Sequence, residues 1–193
     1  MSDLPDITAP LPKLNGQDYQ PYFRDKEKLS RFEVLPGTKG LEYRIGGIEK
    51  EDLTGNISYD PANHEKMVKL RAEKVDRVAN YIPEQEVIGD KSGDLLIVGW
   101  GGTYGSLLTA FKELQTEGKS VSLTHFNYIN PLPKNTGEIF GKFKKILVCE
   151  LNLGQFIYYL RGKFPEYKYE QFNKIQGLPF TVTELKEKIN EVL

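Results

Sequence analysis

The stretch DLLIVGWGGTYGSLLTAFKEL, residues 94–114, joins an apolar run to an amphipathic one through Gly99, Gly101, Gly102 and Gly105, with Thr103 and Tyr104 between them. A hinge of this kind has three uses: it turns its own backbone tightly, it packs on a neighbouring chain, or it offers free amides at a helix start to an anion. The spacing narrows the third use. A dinucleotide fingerprint needs G-x-G-x-x-G, and counting from Gly99 the last position is Tyr104, so only a relaxed G-x-G-x-x-x-G fits. That fingerprint also wants an acidic residue ending the second strand to take a ribose hydroxyl, where this chain reads LTHFNY. No Gly-Lys-Ser/Thr follows the glycines, which excludes a P-loop.

A second polar loop lies in ELNLGQF, residues 150–156, and carries Asn152, Gly154 and Gln155 behind another apolar run. Asn152 and Gln155 have the spacing of an N-cap and the third helical residue, so helix capping is the plain reading. If the strands before the two loops are neighbours, the loops flank one crevice, which is where open α/β sheets bind ligands. Cys149 and His125 also fall near strand ends, and a thiolate beside a base is a nucleophile; a lone cysteine ending KILVC is, however, far more often a small core side chain. With His64 and His125 the only histidines and no close carboxylate spacing, a metal site is not expected.

The elements that must position these loops follow from periodicity. From about residue 85, short apolar runs alternate with amphipathic stretches, which is α/β patterning. Strands are predicted over 85–89, 94–100, 120–126, 145–150 and 168–172, and helices over 103–117, 135–143, 153–163 and 182–192, the last opened by a Thr181–Glu184 capping pair. The continuous apolar character of residues 95–98 and 146–149 marks strands buried on both faces of a parallel sheet. Right-handed crossovers then give a doubly wound, three-layer α/β/α domain over 85–193. Upstream, a connecting helix is predicted within 60–84, capped by Asp60 with Pro61 following and buried along Met67, Leu70 or Arg71, Val75, Val78, Ala79 and Ile82. Residues 1–59 hold 5 of the 11 prolines and 6 of the 18 glycines and read as an extended arm. Its Tyr19, Tyr22, Phe23, Phe32, Leu35, Leu41 and Ile45 are more apolar than a solvated linker needs, so the arm is expected to lie against another surface.

Bulk composition excludes several classes. With 26 basic and 27 acidic residues, no general field attracts nucleic acid or an anionic membrane. One cysteine in 193 residues forms no internal disulfide and ligates no iron–sulfur cluster unaided. With no signal or membrane-spanning pattern, a cytoplasmic chain is expected.

The stretches RFEVLPGTKGLEYRIGGIEKEDLTGNISYDPANHEKMVKLRAEKV, GDLLIVGWGGTYGSL, NYINPLPKN, KILVCELNLGQF and NKIQGLPF resemble, in order, the C-terminal part of the alpha subunit of 2-oxoacid:ferredoxin oxidoreductases, most of all those acting on 2-oxoglutarate. The resemblance implies a fragment of a longer subunit: a connector followed by a domain similar to the transketolase C-terminal domain, with five strands in the order 1-3-2-4-5 and the first antiparallel. It implies that the whole enzyme uses thiamine diphosphate, Mg2+, a [4Fe–4S] cluster and coenzyme A to convert a 2-oxoacid to an acyl-CoA and reduce ferredoxin. The beta subunit and the remaining alpha-subunit domains are then the implied partners. The fragment itself is expected to be an inactive assembly domain that holds none of these cofactors, with Gly99, Gly101, Gly102, Thr103, Tyr104, Gly105, Asn152, Gly154 and Gln155 as interface or crevice residues. The alternative is an independent α/β domain that binds a phosphate or a coenzyme A fragment between the two loops.

Overall fold

The computed structural model describes residues 19–32, 34–44 and 46–193. The first eighteen residues of the expected arm, and Ile45 among its apolar side chains, lie outside the described residues. The chain divides into two compact units, one ending at Val78 and one running from Ala79 to Leu193.

In the first unit, proline, glycine and charge prevent a regular ladder, and the segment is instead tied by single antiparallel bridges between Tyr22 and Leu53, Arg24 and Arg31, and Lys50 and Ile57. Helix α1, Pro61–Arg77, starts as its sequence requires, with the Asp60 carboxylate accepting from the Ala62 amide. The helix meets the segment before it through charge. Asp52 pairs with Arg24 and Lys66, and Glu49 pairs with His64 and Arg71. Arg24 also donates to the sulfur of Met67 at 3.3 Å. This polar seam explains why the expected apolar stripe is not an inward face: Met67 is buried, whereas Val75 and Val78 are 40% and 42% exposed.

The second unit is built on a parallel sheet of β1 (Gly93–Trp100), β2 (Val121–Phe126), β3 (Phe143–Glu150) and β4 (Tyr169–Asn173), in the order β2-β1-β3-β4. Helices α2 (Tyr104–Thr116) and α5 (Val182–Val192) cover one face over Leu95, Ile97, Leu123, Leu147 and Cys149. On the other face, α3 (Thr136–Phe140) and α4 (Gln155–Lys163) pack over Leu96, Val98, Phe126, Ile146 and Val148. Both faces of β1 and β3 are therefore apolar, as their continuous runs require. The Thr181–Glu184 capping box forms as the sequence predicts.

The fifth expected strand, 85–89, is reduced to one antiparallel bridge in which Ile88 and Leu123 exchange amide hydrogen bonds of 2.8 and 2.9 Å. Side chains replace the rest of the ladder. Asn135 brackets the Gln85 backbone, donating to its carbonyl and accepting from its amide, while Thr124 and Ser122 of β2 donate to the carbonyls of Glu86 and Asp90. The segment thus sits beside β2, on the side and with the sense that the 1-3-2-4-5 order demands, but hydroxyls and an amide hold it in place of a continuous backbone pairing.

Candidate functional site

The first and third long apolar runs are neighbours: β1 and β3 pair in register from Gly93 with Phe143 to Val98 with Val148. The glycine hinge and the 151–154 loop consequently leave adjacent strand ends, at the point where the connections diverge to opposite sides of the sheet. The hinge's glycines serve different purposes. A Cβ on Gly99 would lie 2.2 Å from Leu107 Cδ1 and 2.7 Å from Thr103 Oγ1, so α2 approaches β1 only because that side chain is absent. Gly101 has φ +58, a conformation costly for other residues. Gly102 and Gly105 face open space. Thr103, buried, closes the turn by accepting from the Trp100 amide at 3.1 Å and donating to the Trp100 carbonyl at 2.9 Å.

The crevice between the two loops is filled from within. Glu150, fully buried at the end of β3, accepts from Trp100 Nε1 at 3.2 Å, from the Phe156 amide at 2.9 Å and from the Ile157 amide at 3.0 Å. Its carboxylate occupies the free amides and positive end of α4, the place an exogenous phosphate would take. Asn152 accepts from the amides of Gly154 and Gln155 at 2.6 and 3.1 Å, but Gln155 is the first residue of α4 and exposed, so no Asn152–Gln155 capping box forms. Residue types at 150–155 suggested a cap; only the packed strand shows that Glu150 supplies most of it. The signal available in the sequence was a carboxylate directly following KILVC, where alternation places it indoors beside an indole.

The open cleft lies on the other side of the hinge. About 590 Å3 in volume, it is walled by Gly101 and Tyr104 of the hinge, His125 near the end of β2 and Tyr128 after it, and Gln85 and Glu86. The Tyr104 and His125 rings meet edge to face at 5.1 Å. Burial lowers the His125 pKa, opposed by backbone hydrogen bonding to Gly101 and Trp100, and its Nε2 is buried without a partner. Cys149 belongs to the core: it is fully buried under α2 and α5, and burial together with the nearby Glu150 charge raises its thiol pKa. The nucleophile reading of Cys149 with His125 therefore fails, because a thiol so placed is neither ionised nor reachable.

Around the closed crevice stand exposed apolar side chains. Leu153, Tyr158, Ile175 and Leu178 are each at least 60% exposed, on the loops after β3 and β4 and the outer side of α4. Tyr159 and Tyr167 are tied down by hydrogen bonds to Asn130 and to the Gly137 carbonyl.

Fold and site define a doubly wound α/β domain whose ligand crevice is closed by its own tryptophan and carboxylate. The chain is homologous, over nearly all of its length, to part of the alpha subunits of 2-oxoacid:ferredoxin oxidoreductases. It is 40% identical over 98% of its length to the 2-oxoglutarate oxidoreductase subunit KorA of Mycobacterium tuberculosis, and 28% identical over 86% to the 2-oxoacid:ferredoxin oxidoreductase subunit alpha of Saccharolobus solfataricus. Among solved structures it superposes on 2-oxoglutarate:ferredoxin oxidoreductase from Magnetococcus marinus, solved with 2-oxoglutarate, coenzyme A and succinyl-CoA bound, with a TM-score of 0.82, 28% identity and 92% of this chain covered. The chain spans 30%, 28% and 31% of the length of these three proteins, in the same order. No protein-family model matches it.

The donor set bears on the cofactors such enzymes imply. A [4Fe–4S] cluster takes four thiolates, and the one cysteine here is in the core. Among the described residues no three His, Cys, Asp or Glu side chains are grouped to hold a metal ion. The α4 amides that would cradle a diphosphate are taken by Glu150. The residues described do not fit the cluster, the metal or the diphosphate. Among the described residues, no helix is long and apolar enough to cross a membrane.

Proposed function

We propose that this chain is the C-terminal assembly domain of the alpha subunit of a thiamine-diphosphate-dependent 2-oxoacid:ferredoxin oxidoreductase, with 2-oxoglutarate as the 2-oxoacid. The whole enzyme oxidatively decarboxylates the 2-oxoacid to an acyl-CoA and reduces ferredoxin, in the cytoplasm. This domain supplies no reacting group. It spans residues 85–193, follows a connector over 1–59 and a linking helix over 60–84, and contacts the beta subunit and the rest of the alpha subunit. Beyond the kinship, the observation that carries the reading is the self-filled crevice: where comparable domains admit a ligand, the Glu150 carboxylate, itself held by the Trp100 indole, satisfies the α4 amides, while Leu153, Tyr158, Ile175 and Leu178 remain uncovered around it. Apolar surface of this kind marks contact with other protein. Gly102 and Gly105, which neither backbone conformation nor packing requires, suit close approach of another chain's backbone.

The test is capture of the matching beta subunit and the remaining alpha-subunit domains by this chain, alongside calorimetric titration with coenzyme A, thiamine diphosphate and 2-oxoglutarate. Capture with silent titrations is expected. One observation favours a second reading, an independent small-molecule binder: the 590 Å3 cleft beside the hinge. Micromolar binding of any of the three ligands, abolished by Gly102→Asp, would establish that reading and displace the first.

A further inference from the structure

The first unit contains a buried cation that none of the described carboxylates neutralises. Lys50 is 6% exposed, and its Nζ donates to the carbonyl of Arg44 at 3.2 Å and to that of Gly46. Its backbone is pinned as well, by the Asn63 side-chain amide donating to its carbonyl at 2.8 Å. Among the described residues no carboxylate lies within ion-pairing distance of the Lys50 ammonium; of Lys50, Glu49 reaches only the backbone amide, accepting from it at 3.1 Å. The nearby acids are committed elsewhere: Asp52 to Arg24 and Lys66, and Glu49 to His64 and Arg71, while Glu51 accepts from Thr54. An ammonium buried on neutral carbonyls alone is an uncompensated charge, and proteins ordinarily settle such a charge with a counter-ion.

A second cation stands beside it. A Cβ placed on Gly46, whose carbonyl accepts from Lys50, would lie 3.8 Å from Arg44 Nε, so the guanidinium and the ammonium converge on one glycine. Among the described residues Arg44 makes no ion pair either. Both residues line a cleft of about 390 Å3 with Tyr19, Tyr43, Asn56 and Ile57. The Tyr19 and Tyr43 rings meet edge to face at 5.8 Å and give the cleft an aromatic wall. Glu42 also lines the cleft and is exposed, so the lining carries two positive charges against one negative.

We propose that this cleft is a carboxylate-binding site: the carboxylate sits between Lys50 and Arg44, the Asn56 side-chain amide donates to it, and its alkyl part lies against Tyr19, Tyr43 and Ile57. The matching chemistry is an alkyl carboxylate, either a free small molecule or an aspartate or glutamate side chain of another polypeptide. The site is independent of the hinge and of the role proposed for the sheet domain.

The experiment is NMR titration of the complete chain, following the Asn56 side-chain amide and the backbone amides of residues 54–57, with sodium acetate, with sodium chloride at matched ionic strength, and with acetyl-Gly-Glu-Gly-amide. Acetate or the peptide is expected to give saturating shifts that chloride does not. Arg44→Gln, at an exposed position that leaves folding intact, should raise the half-saturating concentration by about fivefold or more; Lys50→Met, where it folds, should abolish saturation. A peptide that saturates at about one-tenth of the acetate concentration assigns the carboxylate to a polypeptide, and equal saturation assigns it to a free small molecule. Absence of saturation with both probes up to about 100 mM, a binding weaker than any cellular use, or titration curves unchanged by Arg44→Gln, would overturn the proposal.

Discussion

Replacing Glu150 tests whether the crevice is closed by design of the core. In Glu150→Gln the side chain keeps its shape but exchanges an acceptor oxygen for an NH2 group. If the remaining oxygen keeps Trp100 and Phe156, the new amide faces the Ile157 N–H, which then has no acceptor. An unsatisfied buried donor costs about 1–3 kcal/mol, and loss of negative charge at the α4 N-terminus adds up to about 1–2 kcal/mol. The expected destabilisation is about 3 kcal/mol, and for a chain of this size each kcal/mol lowers the melting temperature by about 2–4 °C, so a fall of about 6–12 °C follows. Glu150→Leu strands all three donors and should cost more, about 4–5 kcal/mol. Trp100 is the only tryptophan in the chain, so thermal unfolding followed by its fluorescence reads this unit directly, and its native emission should shift when the indole N–H loses its acceptor. A Glu150→Gln variant that melts within about 1 °C of the parent, a change too small for a lost buried hydrogen bond, with unchanged emission would refute the argument.

Gly99→Ala should destabilise by about 1–3 kcal/mol through the clash with Leu107, whereas Gly102→Ala, facing open space, should change stability by less than about 0.5 kcal/mol; chemical denaturation of the two variants gives the comparison. The Lys174 ammonium, together with the Thr181 amide and hydroxyl, lowers the Glu184 pKa to about 2. A folded-state pKa below the unfolded value means stability that is complete above about pH 4.5 and is lost as pH falls towards 2, so Glu184→Gln should flatten the acid limb of a stability–pH curve over that window. His125 shifts the same way by burial: its neutral form is the native one, stability falls as pH drops below about 6.5, and its imidazole signals should titrate below that value. Cys149, core-bound with a raised pKa, should react with a thiol reagent only at the rate of unfolding; rapid native-state labelling would contradict its placement.

The apolar pattern of the sequence determined the layers of the sheet domain, while the order of its strands followed from the family resemblance. Residues 95–98 and 146–149 are apolar without alternation, and only a strand covered on both faces satisfies that pattern. The sequence also determined the starts of α1 and α5, because Asp60 with Pro61 and Thr181 with Glu184 act on amides within three residues. Tertiary structure decided what depends on groups distant in sequence. Residues 85–89 have strand-like composition, but whether they form a ladder rested on Asn135 and Thr124 reaching their backbone first. The same holds for α1: its spacing announced an apolar face, and the charges of Arg24, Asp52 and Glu49 gave it a polar neighbour. The hinge was visible from its glycines, yet Glu150, which occupies the crevice beside it, was not. A carboxylate's role depends on which amides and which indole it meets, and Trp100, fifty residues away along the chain, meets it only when β1 and β3 are side by side.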